Sequence, residues 1–429
     1  ILLFVLALIS LTAHSESFSK DSLEVAQDRK DRKHKTTYKF GGMVDARVMF
    51  DSYNSKSSRG GVVYFYPLAP SYDPSGADLN REGQLHFSVF SSRLNFSIDK
   101  FKVLGADANA FIEGDFLGST DNYLQMLRLR YAYINLVWKT NKLLIGQTTN
   151  LNSVDELLAN VIDIAGGLPF NPFNRGAQIR YEHLFSKSMI LRASAEIYEQ
   201  HRSVGPSDAQ FRAALPDLNL QMVFGDNNAH KVLGGFTVGT KFLQPRSVDN
   251  LGYKIDRIIT SYNVSAFMKF YAGDYKFQLW GIYGGNITPL GAIGGYGKVA
   301  SQNVDGDYDL ADVYTLSSWF DFETPMFNKF QFGLFAGYQR NMGSNVPLDM
   351  SCDQNGEYLY GYYRDCNLQW LGRLSPRACY YASDKFIFGL EYGYNVASWA
   401  KSVDHYFKAT EKYNNTVNHR VILMARFIF

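Results

Sequence analysis

With 429 residues, 29 Tyr, 32 Phe and only 12 Pro, the chain carries the material of a large β structure. Its mean hydropathy is -0.20, and no internal stretch approaches the roughly 20 apolar residues that a spanning helix requires, which excludes a bundle of membrane helices. A formal net charge of +2, with no basic block interleaved with aromatics beyond a short segment near the N-terminus, excludes nucleic acid as a partner.

Residues 1–17 begin with an apolar run, Ile-Leu-Leu-Phe-Val-Leu-Ala-Leu-Ile, and read as a signal peptide that lacks its basic start, with cleavage expected between Ala13 and Ser17. Export places the cysteines in an oxidising compartment, where Cys352 and Cys366 can close a loop and Cys379 is left over. Residues 18–39 carry charges of both signs and few apolar side chains, so they read as a polar periplasmic extension.

From residue 40 the pattern is alternation, as in a strand whose side chains point to opposite sides. In residues 40–51, Val44, Ala46, Val48 and Phe50 share one face; Asp45, Arg47, Met49 and Asp51 share the other. In residues 84–99 the apolar phase moves from Leu85, Phe87 and Val89 to Leu94, Phe96 and Ile98, which requires a bulge at residues 90–92. Further runs follow at 107–116, 127–138, 142–150, 175–183, 189–199, 217–225, 231–243 and 257–271. The remaining ones are 276–285, 312–323, 329–341, 371–382, 386–397 and 419–429. The last run puts Val421, Leu423, Ala425, Phe427 and Phe429 on one face against Arg420 and Arg426. Alone it suits either a soluble sandwich or a membrane strand; as the partner of 40–51 it would remove the last free sheet edge.

The connections separate the two. Those at 139–141, 184–188, 226–230, 272–275, 324–328 and 383–385 are short, whereas 52–81, 151–174, 200–216, 286–311, 342–370 and 398–418 are long. A sandwich or propeller needs no such asymmetry. The expectation is an all-β, transmembrane antiparallel barrel of about 16 strands over residues 40–429, with short periplasmic turns and long extracellular loops.

Such a lumen is too wide for wall side chains to fill, so a loop must narrow it. Residues 151–174 are the expected constriction, folding inward through Leu157, Leu158 and Val161, with Asp155, Glu156 and Asp163 facing the pore or tied to arginines. Strand parity places Arg47, Arg93, Arg128, Arg130, Arg180 and Arg192 on the lumen face, with Glu113 and Asp115 beside them. A row of guanidiniums facing water attracts carboxylates and phosphates. Asp115 opposite Arg128 and Glu113 opposite Arg130 would instead neutralise each other across a hairpin, and both readings stand at this point. Scattered His and the lack of metal or nucleophile spacings point away from an enzyme, and no metal or other cofactor is expected.

Several blocks resemble those of DcaP-like porins: Arg93-Leu-Asn-Phe96, Ala110-Phe-Ile-Glu-Gly-Asp-Phe116, Leu127-Arg-Leu-Arg-Tyr-Ala-Tyr133, Leu143-Leu-Ile-Gly-Gln-Thr148 and Gln178-Ile-Arg-Tyr181. The resemblance implies a homotrimer of 16-stranded barrels in the outer membrane of a Gram-negative bacterium, in contact with its lipid. It also implies a pore preferring small anionic solutes such as dicarboxylates, and an N-terminal coiled coil, although residues 18–39 show no heptads. The expected function is passive diffusion of small hydrophilic anions. A structural or adhesive surface barrel presenting Tyr-rich loops is the alternative.

Overall fold

The computed structural model describes residues 36–226, 231–354 and 356–429. The expected signal peptide, 1–17, and nearly all of the polar extension, 18–39, lie outside the described residues. Among those described, sixteen wall strands form one closed antiparallel sheet. They are β1 (Thr37–Asp51), β2 (Gln84–Ser88 continued by Arg93–Val103), β3 (Ala106–Asp115), β4 (Arg128–Val137), β5 (Asn141–Thr149) and β6 (Arg175–Ser186). There follow β7 (Met189–Ile197), β8 (Asp217–Gly225), β9 (Leu233–Leu243), β10 (Ile259–Ala272) and β11 (Tyr275–Gly285). The last five are β12 (Leu310–Glu323), β13 (Phe330–Gly343), β14 (Leu368–Tyr381), β15 (Phe386–Val403) and β16 (Thr416–Ile428).

The first and last strands close the barrel in register, with Asp45 opposite Arg426 and Asp51 opposite Arg420. Both segments of β2 pair with β1, and the break between them falls at the expected phase change. There the Ser92 hydroxyl accepts a hydrogen bond from the Asp45 amide, and the Ser91 hydroxyl donates to the Asp45 carboxylate. Val44, Phe50, Leu423 and Phe427 are exposed on the outer face, while Asp45, Met49, Asp51 and Arg420 are buried inside. Aromatics cluster beside the short turns: Phe277 stacks on Phe270, Phe330 lies against Tyr380, and Phe427 against Phe386. Flat, amphipathic rings at that level form the girdle of a membrane barrel.

The lumen is unevenly filled. On the inner faces of β10–β13 stand Phe267, Trp280, Trp319 and Phe335, all buried, and they pack with Val154, Leu157 and Phe170 of residues 151–174, the third loop on the extracellular side once the shorter β3–β4 connection is counted. Each fully buried side chain of this kind contributes about 1.5–3 kcal/mol, enough to hold that loop inside the barrel. The inner faces of β1–β7 are charged instead, with Arg47, Asp115, Arg128, Arg180, Arg192 and Glu196 buried. A second insertion was not expected: a hairpin of Ser55–Ser58 and Val63–Pro67 also folds inward from the first long loop, burying Tyr64 and Tyr66.

The Cys352–Cys366 bridge expected from sequence is not formed, and all three cysteines are free. Cys366 is buried with Val313, Leu348 and Phe407, while Cys352 is exposed and donates to the Met350 carbonyl. Tyr358 and Tyr363 pack on Phe407 with centroids 5.5 and 4.6 Å away, so apolar packing closes this loop without a crosslink. The same burial pushes the Cys366 thiol up, which disfavours the thiolate that disulfide exchange requires.

Candidate functional site

The site grows from the β3–β4 hairpin. Register puts Asp115 opposite Arg128, and the pair is bidentate, with Nε to Oδ1 and Nη2 to Oδ2 both at 2.8 Å. Glu113, expected opposite Arg130, pairs instead with Tyr131, because the ladder slips one residue between Glu113 and Gly114. Its carboxylate still reaches Arg130 at 2.6 Å, and Arg130 gives a second bond of 3.0 Å to Asp115. One buried carboxylate, Asp115, thereby holds two guanidiniums flat against the wall.

Arg93 on β2 lies across from Asp115 in the ladder, yet it makes no ion pair among the described residues, and its Nε is buried without a hydrogen-bond partner. Arg175, at the start of β6, lies over the rings of Tyr131 and Phe173 at 4.9 and 4.6 Å, and its Nε is also unpartnered. A buried N–H without an acceptor costs roughly 1–3 kcal/mol, so this wall presents donors that await one.

Arg93, though not Arg175, lines a cavity of about 210 Å³. Its cationic lining comprises Arg93, Arg128 and Arg130 from the wall, Lys56 and Arg59 from the first-loop hairpin, and Arg364 from the connection between β13 and β14. Phe65, Leu117, Ile164, Leu168, Phe173 and Pro289 supply apolar surface, and no carboxylate lines it. Arg364 is fixed by donating to the Thr288 and Ala292 carbonyls. His201 completes the ring of basic groups. Burial, with Arg128, Arg59 and Arg175 beside it, pushes its imidazole down to about 3, so it stands neutral with its Nε2 unpartnered. Guanidiniums remain charged at any working pH, so the cavity carries fixed positive charge in a surround of reduced dielectric, where an oxyanion is held by charge-assisted hydrogen bonds.

Of the arginines expected on the lumen face, the structure brings Arg93, Arg128 and Arg130 to this cavity. The other three brace loops. Arg47 binds Asp45 and the Ile162 carbonyl, Arg180 binds Asp155 at 3.0 Å, and Arg192 binds Glu156 at 2.5 Å and Glu182 at 2.7 Å. Asp155 and Glu156 of the inserted loop are thus tied to wall arginines, and Asp163 lies 3.5 Å from Arg373 and 3.9 Å from Arg420. Lys56, Arg59, His201 and Arg364 were missed by sequence reasoning. They sit in connections, where strand parity says nothing about inward or outward direction.

Neither a family model nor a curated protein matches the chain. Among solved structures it is similar to the outer membrane channel DcaP of Acinetobacter baumannii, with a TM-score of 0.66 and 17% identity over 92% of this chain and 98% of that one. It is also similar to the anion-selective porin from Comamonas acidovorans, with a TM-score of 0.55 and 10% identity over 92% of this chain and all of the other. The outer membrane protein OmpT of Vibrio cholerae, in a trimer form, matches with a TM-score of 0.50 and 10% identity over 92% and 99%. At such identities the likeness establishes the fold, a porin barrel, and it extends over both halves of the sheet.

Proposed function

We propose that this chain is an outer-membrane porin of a Gram-negative bacterium that passes small hydrophilic anions by diffusion. The observation that carries the reading is the cavity lined by six fixed cations and no carboxylate, set between the β2–β4 wall and the inserted loops. Solutes would move along the charged side of the lumen, since the opposite side is closed by Phe267, Trp280, Trp319 and Phe335 packed on the third loop. Several donors that each grip an oxyanion weakly favour occupancy without trapping, which is what conduction demands. Cations distributed around one cavity, beside apolar surface, suit a dicarboxylate with a short carbon body better than a lone halide.

The trimer form of one similar barrel, and the aromatic girdle and broad apolar outer face of this one, support assembly as a homotrimer in lipid. In the same reading residues 1–17 direct export and 18–39 lie on the periplasmic side.

Planar-bilayer recordings in a salt gradient test the proposal. The expected reversal potential is that of an anion-preferring pore, with millimolar dicarboxylate reducing the chloride current. Cation preference would overturn the anion reading; a folded barrel without conductance would favour a surface barrel presenting its Tyr-rich loops.

A further inference from the structure

The geometry points to a second selectivity element: we infer that the hairpin inserted from the first extracellular loop sets the charge preference of the passage through Lys56 and Arg59. The inference rests on the channel reading above and assigns one side of its cavity to a loop rather than to the barrel wall.

The hairpin is lodged in the lumen. Its second strand buries Tyr64 and Tyr66, and Val63, Phe65 and Tyr66 line the cavity. The guanidiniums of Arg373 and Arg420 lie 5.0 and 4.9 Å from the Tyr64 ring. The Tyr66 hydroxyl donates to Asp365 at 2.5 Å, and the Trp399 indole N–H donates to the Pro67 carbonyl at 3.1 Å. At the tip, the Gly60 amide donates to Asp121 of the neighbouring loop at 2.8 Å. Gly61 has φ +85°, and a Cβ there would stand 2.3 Å from His86 Cε1, so the turn rests directly on that ring and only glycine fits. Arg59 itself takes φ 60°, a left-handed conformation costly for a side chain of its size, and one that the surrounding contacts impose.

What that placement achieves is electrostatic. Arg59 is buried, makes no ion pair among the described residues and has an unpartnered Nη1. It shares the cavity with Arg93, Arg128 and Arg130 of the facing wall, and Lys56 stands beside it on the cavity lining. Lys56 lies 3.8 Å from Asp365, which the Tyr66 hydroxyl already engages. Arg128 and Arg130 are balanced by Asp115 and Glu113, so the uncompensated charge of the two sides is that of Arg93 and Arg59, and their repulsion is relieved when an anion enters between them. Wall cations alone would line one side of a wide lumen; the hairpin brings cations to the other side and narrows the gap, so that a passing ion meets positive charge on both flanks.

The test is single-channel recording of the full-length protein and of Lys56→Ala/Arg59→Ala. The double variant should lower the chloride-over-potassium permeability ratio by about threefold or more. An unchanged ratio overturns the inference. A parent protein that itself shows no anion preference would instead overturn the channel reading, so the two failures are distinct. Arg59→Cys provides a measurement that does not depend on the double variant folding. Modification inside the bilayer by a cationic methanethiosulfonate should restore the preference and an anionic one should lower it further, with the parent protein as the control for Cys352. If both reagents act alike, the side chain at position 59 does not face the passage and the inference fails.

Discussion

Two arginines that flank the same carboxylate illustrate how pairing decides a residue's role. Arg128 is bound through both Asp115 oxygens inside the wall, whereas Arg93 is opposite the same residue and leaves its Nε unpartnered. Arg128→Ala removes the bidentate partner of Asp115, leaves that carboxylate to Arg130 alone, and is expected to cost about 1.5–3 kcal/mol in lost charge-assisted hydrogen bonds, visible as a lower temperature for conversion of the folded barrel band on a denaturing gel. Arg93→Ala breaks no ion pair, so its stability should stay within about 1 kcal/mol while anion preference falls. Equal destabilisation by both would mean that Arg93 braces the wall as Arg128 does. His201 carries a pH prediction. Its imidazole is held near 3 in the folded chain against an ordinary value of 6.5, so the unfolded chain binds the proton more readily. Its contribution to stability is therefore intact above about pH 6.5 and is lost as pH falls from there toward 3. His201→Gln should flatten that part of the acid-stability profile. A conductance step near pH 6.5 in the parent that disappears in this variant would instead show a charged imidazole in the passage.

At the scale of elements, the third loop is held by shape as well as charge. A Cβ on Gly337 would stand 2.3 Å from Phe170 Cγ, so the wall leaves out a side chain where the loop's ring enters. Gly337→Ala should overpack this contact at a cost of about 1–3 kcal/mol and lift the loop, raising single-channel conductance. Unchanged conductance and unchanged thermal conversion would show that Phe170 repacks without moving the backbone. The sixteen strands, the break in β2 and the closing pair were legible in the sequence because side-chain direction in a strand has period two, lipid requires an apolar outer face, and charged side chains fall on the inner one. Asp115 opposite Arg128 followed from that counting; Glu113 did not, because the one-residue slip at Gly114 leaves no mark in the alternation. The inserted hairpin was illegible for a related reason. Its strands are four and five residues long within a connection rich in Ser and Tyr, too short for alternation to mark Tyr64 and Tyr66 as buried before tertiary packing claims them. The expected disulfide failed because spacing alone does not reveal that Cys366 faces Leu348 and Phe407 rather than Cys352.

Across the whole molecule, these insertions convert a symmetric wall into an asymmetric lumen. The aromatic inner faces of β10–β13 pack against the third loop, and the first-loop hairpin packs against β14–β16, while the inner faces of β1–β7 keep arginines and carboxylates in hydrogen-bonded networks. Apolar packing of this kind admits neither ions nor their hydration shells, so in the proposed channel current would follow the charged side. Stability and selectivity should then separate by location. Phe335 is fully buried, with Phe170 and Trp319 centroids 6.3 and 6.2 Å away, and is not among the residues that line the cationic cavity. Phe335→Ala should cost about 3–5 kcal/mol through lost burial and the cavity left behind, lowering the thermal conversion temperature, and should leave the reversal potential where it was. A shifted reversal potential with an intact folded band would place the passage through the aromatic half, and the off-centre route along β2–β4 would have to be abandoned.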